Sequence, residues 1–455
     1  MSPEPLAPAA RLPPGPRLPR VVQTAGFMFA GPRFLEACRR RYGPAVTFGT
    51  VFDNGFVMVF DPALCKQLFQ GSGQQLHAGE ANALLGPILG GRSVLLLDGA
   101  EHLRHRRLLT PPFHGRRMQV YEQEIRAAAD VEIDRWPVGA PFELLPSLQS
   151  LTLHVILQAV FGYQPGAAER ELRGALRAMV EPLGRPRGLL LMVLLGRLGR
   201  FGARQRATQQ FETSRDAVDE ILYAEIERRR SAPDLADRED VFSALLLAQD
   251  ENGERLTPTE VRDELVTLLL AGHETTATGL AWTLDLLLHN PAVLERAGEG
   301  DDAYLDAVVK ESLRVRPVIP GVGRVVRGEP FRLGQWVIPP GVEINPSIRM
   351  IHRRADLYPD PAAFRPERFL GEDGAIPDTY TWLPFGGGTR RCLGASFALM
   401  EMRVVLRRVL ERTTLRPAGD APEEVQFRAI TLAPKTGVRA VMDHAARPAR
   451  ALTPA

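Results

Sequence analysis

One stretch limits the possible folds more than any other. From Thr257 to Asn290 a single helical signal runs for about 33 residues, or ~50 Å at 1.5 Å per residue. Thr257 is a good N-cap, Pro258 suits the first helical position, and Glu260 completes a capping box. Pro291 stops it. The middle, LVTLLLAGHETTATGLAW, is apolar nearly all round, so it should be buried through a core. Helical periodicities continue over residues from about 100 to 290. Pro32 to Tyr42 reads as a short helix. AVTFGTVF and FVMVFD read as a hairpin turning at Asp53-Asn54-Gly55, and short strands recur near 322–345 and near the C-terminus. The expected class is mostly α with small β-sheets.

Residues 1–20 are rich in Pro and Arg and should run as an extended arm; 445–455 read as a tail. No linker, repeat or low-complexity block interrupts 21–444, so one large domain is expected there. Hydrophobic residues at 45% and charged residues at 24% are those of a soluble globular protein. A net charge of +2 gives no reason to expect nucleic-acid binding. Only Lys66, Lys310 and Lys435 are lysines; the other basic residues are arginines, unclustered, which reads as coding bias.

Cys38, Cys65 and Cys392 form no C-x-x-C pair, so neither a zinc site nor a disulfide framework is expected. No apolar run reaches 18 residues, and the N-terminus lacks the apolar core of a signal peptide. A cytoplasmic monomer without a transmembrane anchor is therefore expected.

The chemistry concentrates in FGGGTRRCLGASFALMEMRVVLRRVL. Gly386 to Gly388 allow a tight loop, Cys392 follows, and a periodic helix begins almost at once. A thiol at a helix N-terminus sees the positive end of the dipole and free backbone N–H groups, which favour thiolate. Arg390 and Arg391 add positive charge. The combination suits a thiolate metal ligand; an inert buried cysteine would need none of it. In the long helix, AGHETT places Gly272 and two threonines where helix stability alone would avoid them. A local opening is expected, with Ala271, Gly272 and Thr275 near one face; the alternative is a Gly that relieves crowding beside a solvated Glu274. Glu311 and Arg314 in KESLR can pair on one helix face. His102 and Arg106 in GAEHLRHRRLL are two cationic donors four apart, suited to a carboxylate.

On these motifs the chain resembles the cytochrome P-450 superfamily, soluble bacterial type. The haem-loop pattern F-x-x-G-x-R-x-C-x-G is met at Phe385, Gly388, Arg390, Cys392 and Gly394. The resemblance implies haem b with Cys392 as proximal thiolate, Phe385 near the sulfur, and Arg390, His102 and Arg106 on the propionates. Arg324 is a further propionate candidate. A thiolate ligand favours O–O cleavage. Ala271, Gly272, Glu274 and Thr275 match the family's oxygen-side pattern, in which the acid and the alcohol supply protons. Glu311, Arg314 and Arg368 match its structural network. O2 is the implied co-substrate, with electrons from NAD(P)H through a separate ferredoxin and ferredoxin reductase. His102, Arg104, Arg106, Arg107, Arg390, Arg391, Arg403 and Arg407 are expected to offer a basic docking face.

By family position the substrate pocket draws on Leu84, Leu85, Ile88, Leu89, Thr267, Leu270, Val318, Ile319, Val322, Ile430 and Leu432. All but Thr267 are apolar, which suits a terpenoid, steroid, fatty acyl or polyketide-like molecule. Residues 184–204 are expected to form a lip over the entrance. The implied activity is hydroxylation or epoxidation. The alternatives are a haem-thiolate gas sensor or haem carrier, and a peroxide-driven peroxygenase; the Glu274–Thr275 pair argues against both.

Overall fold

The structure is a computed structural model. It describes residues 11–51, 55–113, 117–162, 166–180, 202–371, 378–428 and 430–445. Most of the expected lip, the start of the arm and the end of the tail lie outside the described residues. The chain forms two compact units: 1–107 with 319–363 and 375–393, and 108–318 with 364–374 and 394–455.

The first unit is built on a five-stranded sheet. Ala45–Phe48 pairs antiparallel with Phe56–Val59, as the alternation of apolar residues predicts. The first strand stops at Phe48, so the segment GTV extends the connection instead of the strand, and Asp53 and Asn54 of the expected turn lie outside the described residues. Phe56–Val59 then pairs parallel with Glu343–Pro346, which pairs antiparallel with Arg324–Val326, and Leu76–His77 forms the far edge. Its core gathers Val57, Val59, Cys65, Leu68, Ile338 and Ile344. Helix Pro62–Gln70 packs there and starts on a cap, the Asp61 carboxylate accepting from the N–H groups of Ala63 and Leu64.

The second unit is helical, with a three-stranded sheet and one hairpin. The long helix runs Pro258–Leu288, and the Thr257–Glu260 capping box is present in full. It ends two residues short of the expected limit, His289 serving as C-cap. Helix Leu144–Phe161 packs along it. That second helix is long and apolar enough to cross a membrane by length and composition, but 67% of it is buried inside the protein, as a core helix is. Helix Ala395–Arg412 follows the cysteine loop. Val425–Arg428 and Thr431–Pro434 make the hairpin, tied down where Trp282 Nε1 donates to the Leu432 carbonyl at 2.8 Å.

Candidate active site

The cysteine loop is closed by backbone hydrogen bonds. Gly386 N–H donates to Leu383 O, Arg391 N–H to Gly388 O, and Cys392 N–H to Phe385 O, all at 3.0–3.1 Å. Gly388 is irreplaceable here. Its φ is +66°, and a Cβ would stand 2.1 Å from the Phe69 carbonyl oxygen. The result is selective presentation: Cys38 and Cys65 are buried, while Cys392 is exposed. Burial raises the Cys38 thiol above the ordinary value and the Cys65 thiol well above it, which disfavours both as thiolates. The Phe385 ring lies edge-on to Trp382 at 5.9 Å. Gly394 is the N-cap of helix Ala395–Arg412, its carbonyl accepting from Ala398 N–H at 2.8 Å.

Helix Gly99–Leu109 brings His102 and Arg106 toward this loop. His102 is buried and pushed down to about 3 by that burial, with the Arg390, Arg106 and Arg324 cations adding. Arg324 and Arg390 are pushed down to about 10, again mainly by burial. Burial also lowers Arg106; negative charge on Cys392 works against that, and Arg391 adds to it. Asp98 is the acid in this cluster, accepting from Arg390 Nη2 at 2.6 Å. Arg390 also donates to the carbonyls of Val94, at 3.1 Å, and Leu97. Arg324 donates to Gly323 O at 2.7 Å and lies over the Phe69 ring. Three guanidinium groups and an imidazole thus act on one another here, and Asp98 answers two of the guanidinium groups, Arg390 and Arg324. Cations held in burial against their own repulsion make an anion site, which fits a haem carrying two propionates.

In the second unit, the long helix is buried on both sides of one turn. Residues 261–269 apart from Leu268, and 276–288, are buried, while Ala271 is exposed and 270 and 272–275 are half-buried. The expected opening is absent, because the helix is continuous. The threonine hydroxyls donate back to carbonyls instead, Thr275 to Ala271 O at 2.6 Å and Thr276 to Gly272 O at 2.9 Å. Gly272 serves packing: a Cβ there would meet Ile156 Cδ1 at 2.9 Å. Relief of crowding, the alternative reading of that glycine, is the one the contacts support.

Glu274 is not a solvated acid. Gln149 Nε2, on helix Leu144–Phe161, donates to its Oε2 at 2.6 Å, and Arg428 Nε faces its Oε1 at 3.5 Å. Oε1 is buried and has no hydrogen bond, so Arg428 meets it as an ion pair only. His273 Nε2 lies 3.9 Å from Oε2, and burial lowers that imidazole below its ordinary value despite the opposing Glu274 charge. Sequence reasoning missed Gln149, Arg428 and His273, whose link to Glu274 crosses 125 residues in the case of Gln149.

The remaining expected residues divide. Glu311 and Arg314 are fully buried and joined at 2.6 Å, with Arg368 Nε at 3.3 Å and the Arg365 N–H at 2.9 Å on the same carboxylate. Of the pocket residues, Leu89, Thr267, Val318 and Leu432 are buried, and Leu84 and Ile430 are exposed. Leu85, Ile88, Leu270, Ile319 and Val322 are half-buried. Thr267 spends its hydroxyl on the Asp263 carbonyl at 2.6 Å, so it is not a polar group kept ready for a ligand. In the expected docking set, Arg407 pairs with Asp302, and Arg403 lies 3.8 Å from Asp302 and Asp306, so neither charge stands alone.

Fold and site together define a haem-binding enzyme of the mostly helical class. A solved structure, "Retinoic acid bound cyanobacterial CYP120A1", shares the fold at a TM-score of 0.80 and 24% identity, over 96% of this chain and all of that one. The Cytochrome P450 family model matches residues 13–439. "Putative cytochrome P450 135B1" of Mycobacterium tuberculosis is 40% identical over 94% of this chain and 90% of its own. "Putative cytochrome P450 138" of Mycobacterium bovis is 39% identical over 96% and 98%. This chain belongs to the cytochrome P450 family, whose general character is that of a haem-thiolate monooxygenase using O2.

Proposed function

We propose that the protein hydroxylates or epoxidises an apolar small molecule, of terpenoid, steroid, fatty acyl or polyketide-like character. In this reading Cys392 is the thiolate ligand of haem b, and His102, Arg106, Arg324 and Arg390 answer the propionates. When bound, the haem supplies the redox chemistry that activates O2, and thiolate ligation favours O–O cleavage. Electrons come from NAD(P)H through a separate ferredoxin and its reductase.

The observation that carries the reading is the fixed acid beside a hydroxyl on the least buried turn of a buried helix. Gln149 and Arg428 hold the Glu274 carboxylate in one orientation. Thr275 keeps its proton on the Ala271 carbonyl, from which one χ1 rotation releases it. Glu274 and Thr275 are thus the source and carrier of protons, and neither grips the substrate. A gas sensor or haem carrier has no use for such a pair. A peroxide-driven enzyme would need no reductant at all.

Thr275→Ala tests this. Loss of a general acid group costs on the order of 10²–10⁴-fold. Product formed per NAD(P)H consumed should therefore collapse, while haem content and substrate affinity stay near the parent values. A ratio equal to the parent's would sink the relay. Turnover by peroxide alone, at the rate of the reductant-driven system, would favour the peroxygenase.

A further inference from the structure

The segment that follows the N-terminal arm is folded inside out. In helix Arg20–Ala25 and the wide π-type turn Gly26–Ala30 after it, the uncharged polar residues Gln23 and Thr24 face the protein. Gln23 is only 5% exposed: its Nε2 donates to Leu18 O at 2.9 Å, and its Oε1 accepts from Gly49 N–H at 3.0 Å. Thr24 is buried as well; its hydroxyl donates to Arg20 O and accepts from Val51 N–H at 3.1 Å. Phe27 locks the segment, its ring 5.0 Å from Phe48 and 5.5 Å from Phe34. The large apolar side chains turn outward instead. Leu18, Val21, Val22, Met28 and Phe29 are all exposed, and Phe29 is 85% exposed.

An isolated exposed Leu needs no explanation, but a run of five on one anchored segment does. The arrangement cannot come from helix propensity, because swapping the faces would bury the apolar groups and leave the polar ones in water. Along this stretch of chain the charges have one sign. Arg17, Arg20 and Arg33 are exposed, and no acidic residue lies between Glu4 and Glu36.

We propose that this face is a membrane-surface contact that takes an anionic lipid bilayer. Apolar groups flanked by arginines match the acyl boundary and the phosphate layer of such a surface. A second copy of the chain fits less well, since a symmetric contact would bring Arg17, Arg20 and Arg33 against their own counterparts. An acidic protein partner would meet the arginines but leave Phe29 and Met28 without an apolar counterpart. The anchoring through Gln23, Thr24 and Phe27 means that the face is already formed before it docks. The contact is peripheral, with no part of the segment crossing the bilayer.

The experiment uses the full-length holoprotein and vesicles of phosphatidylcholine with or without 30% phosphatidylserine, chosen as roughly the anionic content at which basic residues add strongly. Co-sedimentation should show binding to the anionic vesicles that weakens with salt. Each arginine near such a surface strengthens binding about fivefold, so Arg17→Gln with Arg33→Gln should lose roughly 25-fold. Met28→Ser with Phe29→Ser should lose at least tenfold, with haem content and activity at the parent level. Phe29→Trp should give a blue shift in emission on anionic vesicles only. No binding at low salt, or binding unchanged by Met28→Ser with Phe29→Ser, would overturn the proposal. So would equal binding to pure phosphatidylcholine. A concentration-dependent dimer that the same double substitution abolishes would assign the face to a second copy instead.

Discussion

Replacing Glu311 by Gln removes one charge and almost no volume. The Glu311 carboxylate takes Arg314 Nε at 2.6 Å and Nη2 at 2.8 Å, the Arg365 N–H at 2.9 Å and Arg368 Nε at 3.3 Å. It has no water to fall back on, since both Glu311 and Arg314 are completely buried. In the Gln variant one oxygen becomes an amide donor facing guanidinium donors, and the buried Arg314 cation loses the carboxylate charge that answers it. Breaking a buried pair from one side costs about 3–5 kcal/mol. The double variant Glu311→Met with Arg314→Leu should cost less than either single change, because the two fully buried charges leave together and only the half-buried Arg368 loses its contact with the carboxylate. The orphaned Arg365 N–H keeps it from being neutral, at about 1–3 kcal/mol. Guanidinium unfolding followed by far-UV circular dichroism, with Soret absorbance as the second signal, measures all three. The exposed Arg416–Asp443 pair, at 3.0 Å, is the control and should be worth at most about 1 kcal/mol. If Glu311→Gln costs no more than that control, the network does not hold this region together.

Cys392→Ala should abolish the red-shifted Soret band of the ferrous–CO complex that marks thiolate ligation, while Cys38→Ala and Cys65→Ala keep it, because both of those thiols are buried. Gln149→Leu and Arg428→Gln should each lower product per NAD(P)H and move its pH profile; Arg428→Lys should restore part of the yield by returning the charge. Glu274→Gln separates the cases, since a loss of yield in that variant alone would leave the relay standing and remove its two clamps. Burial, with the Arg173 cation adding, holds His154 below its ordinary value. An unfolded His takes up its proton near pH 6.5, so below that the unfolded state binds more protons and stability falls with pH toward the depressed folded value. The unfolding midpoint should drop between about pH 7.5 and pH 5.5, and His154→Gln should flatten that slope; an unchanged slope would show that His154 protonates equally in both states.

Local chemistry was legible in the sequence. The Thr257–Glu260 cap, the Glu311–Arg314 pair and the turn at Gly388 involve residues within three or four positions of one another, or a backbone angle that only one residue type accepts readily. Backbone geometry enforces such features wherever the segment lies, so composition and spacing reveal them. The loop that presents Cys392 was legible for the same reason: three glycines, two arginines and a helix start all fall within one short stretch.

Tertiary structure decided the rest. The clamp on Glu274 comes from Gln149 and Arg428, far away in the chain, and the partner of Arg390 is Asp98, 292 residues distant. The turn around Gly272 shows the same division. Its glycine and threonines suggested an opened helix, yet the packing of Ile156 explains the glycine, and the hydroxyls close on their own carbonyls. The outward face at Val21 to Phe29 was equally hidden. Hydrophobic periodicity says that a helix has an apolar side, but only the anchors at Gly49, Val51 and Phe48 determine which way that side points.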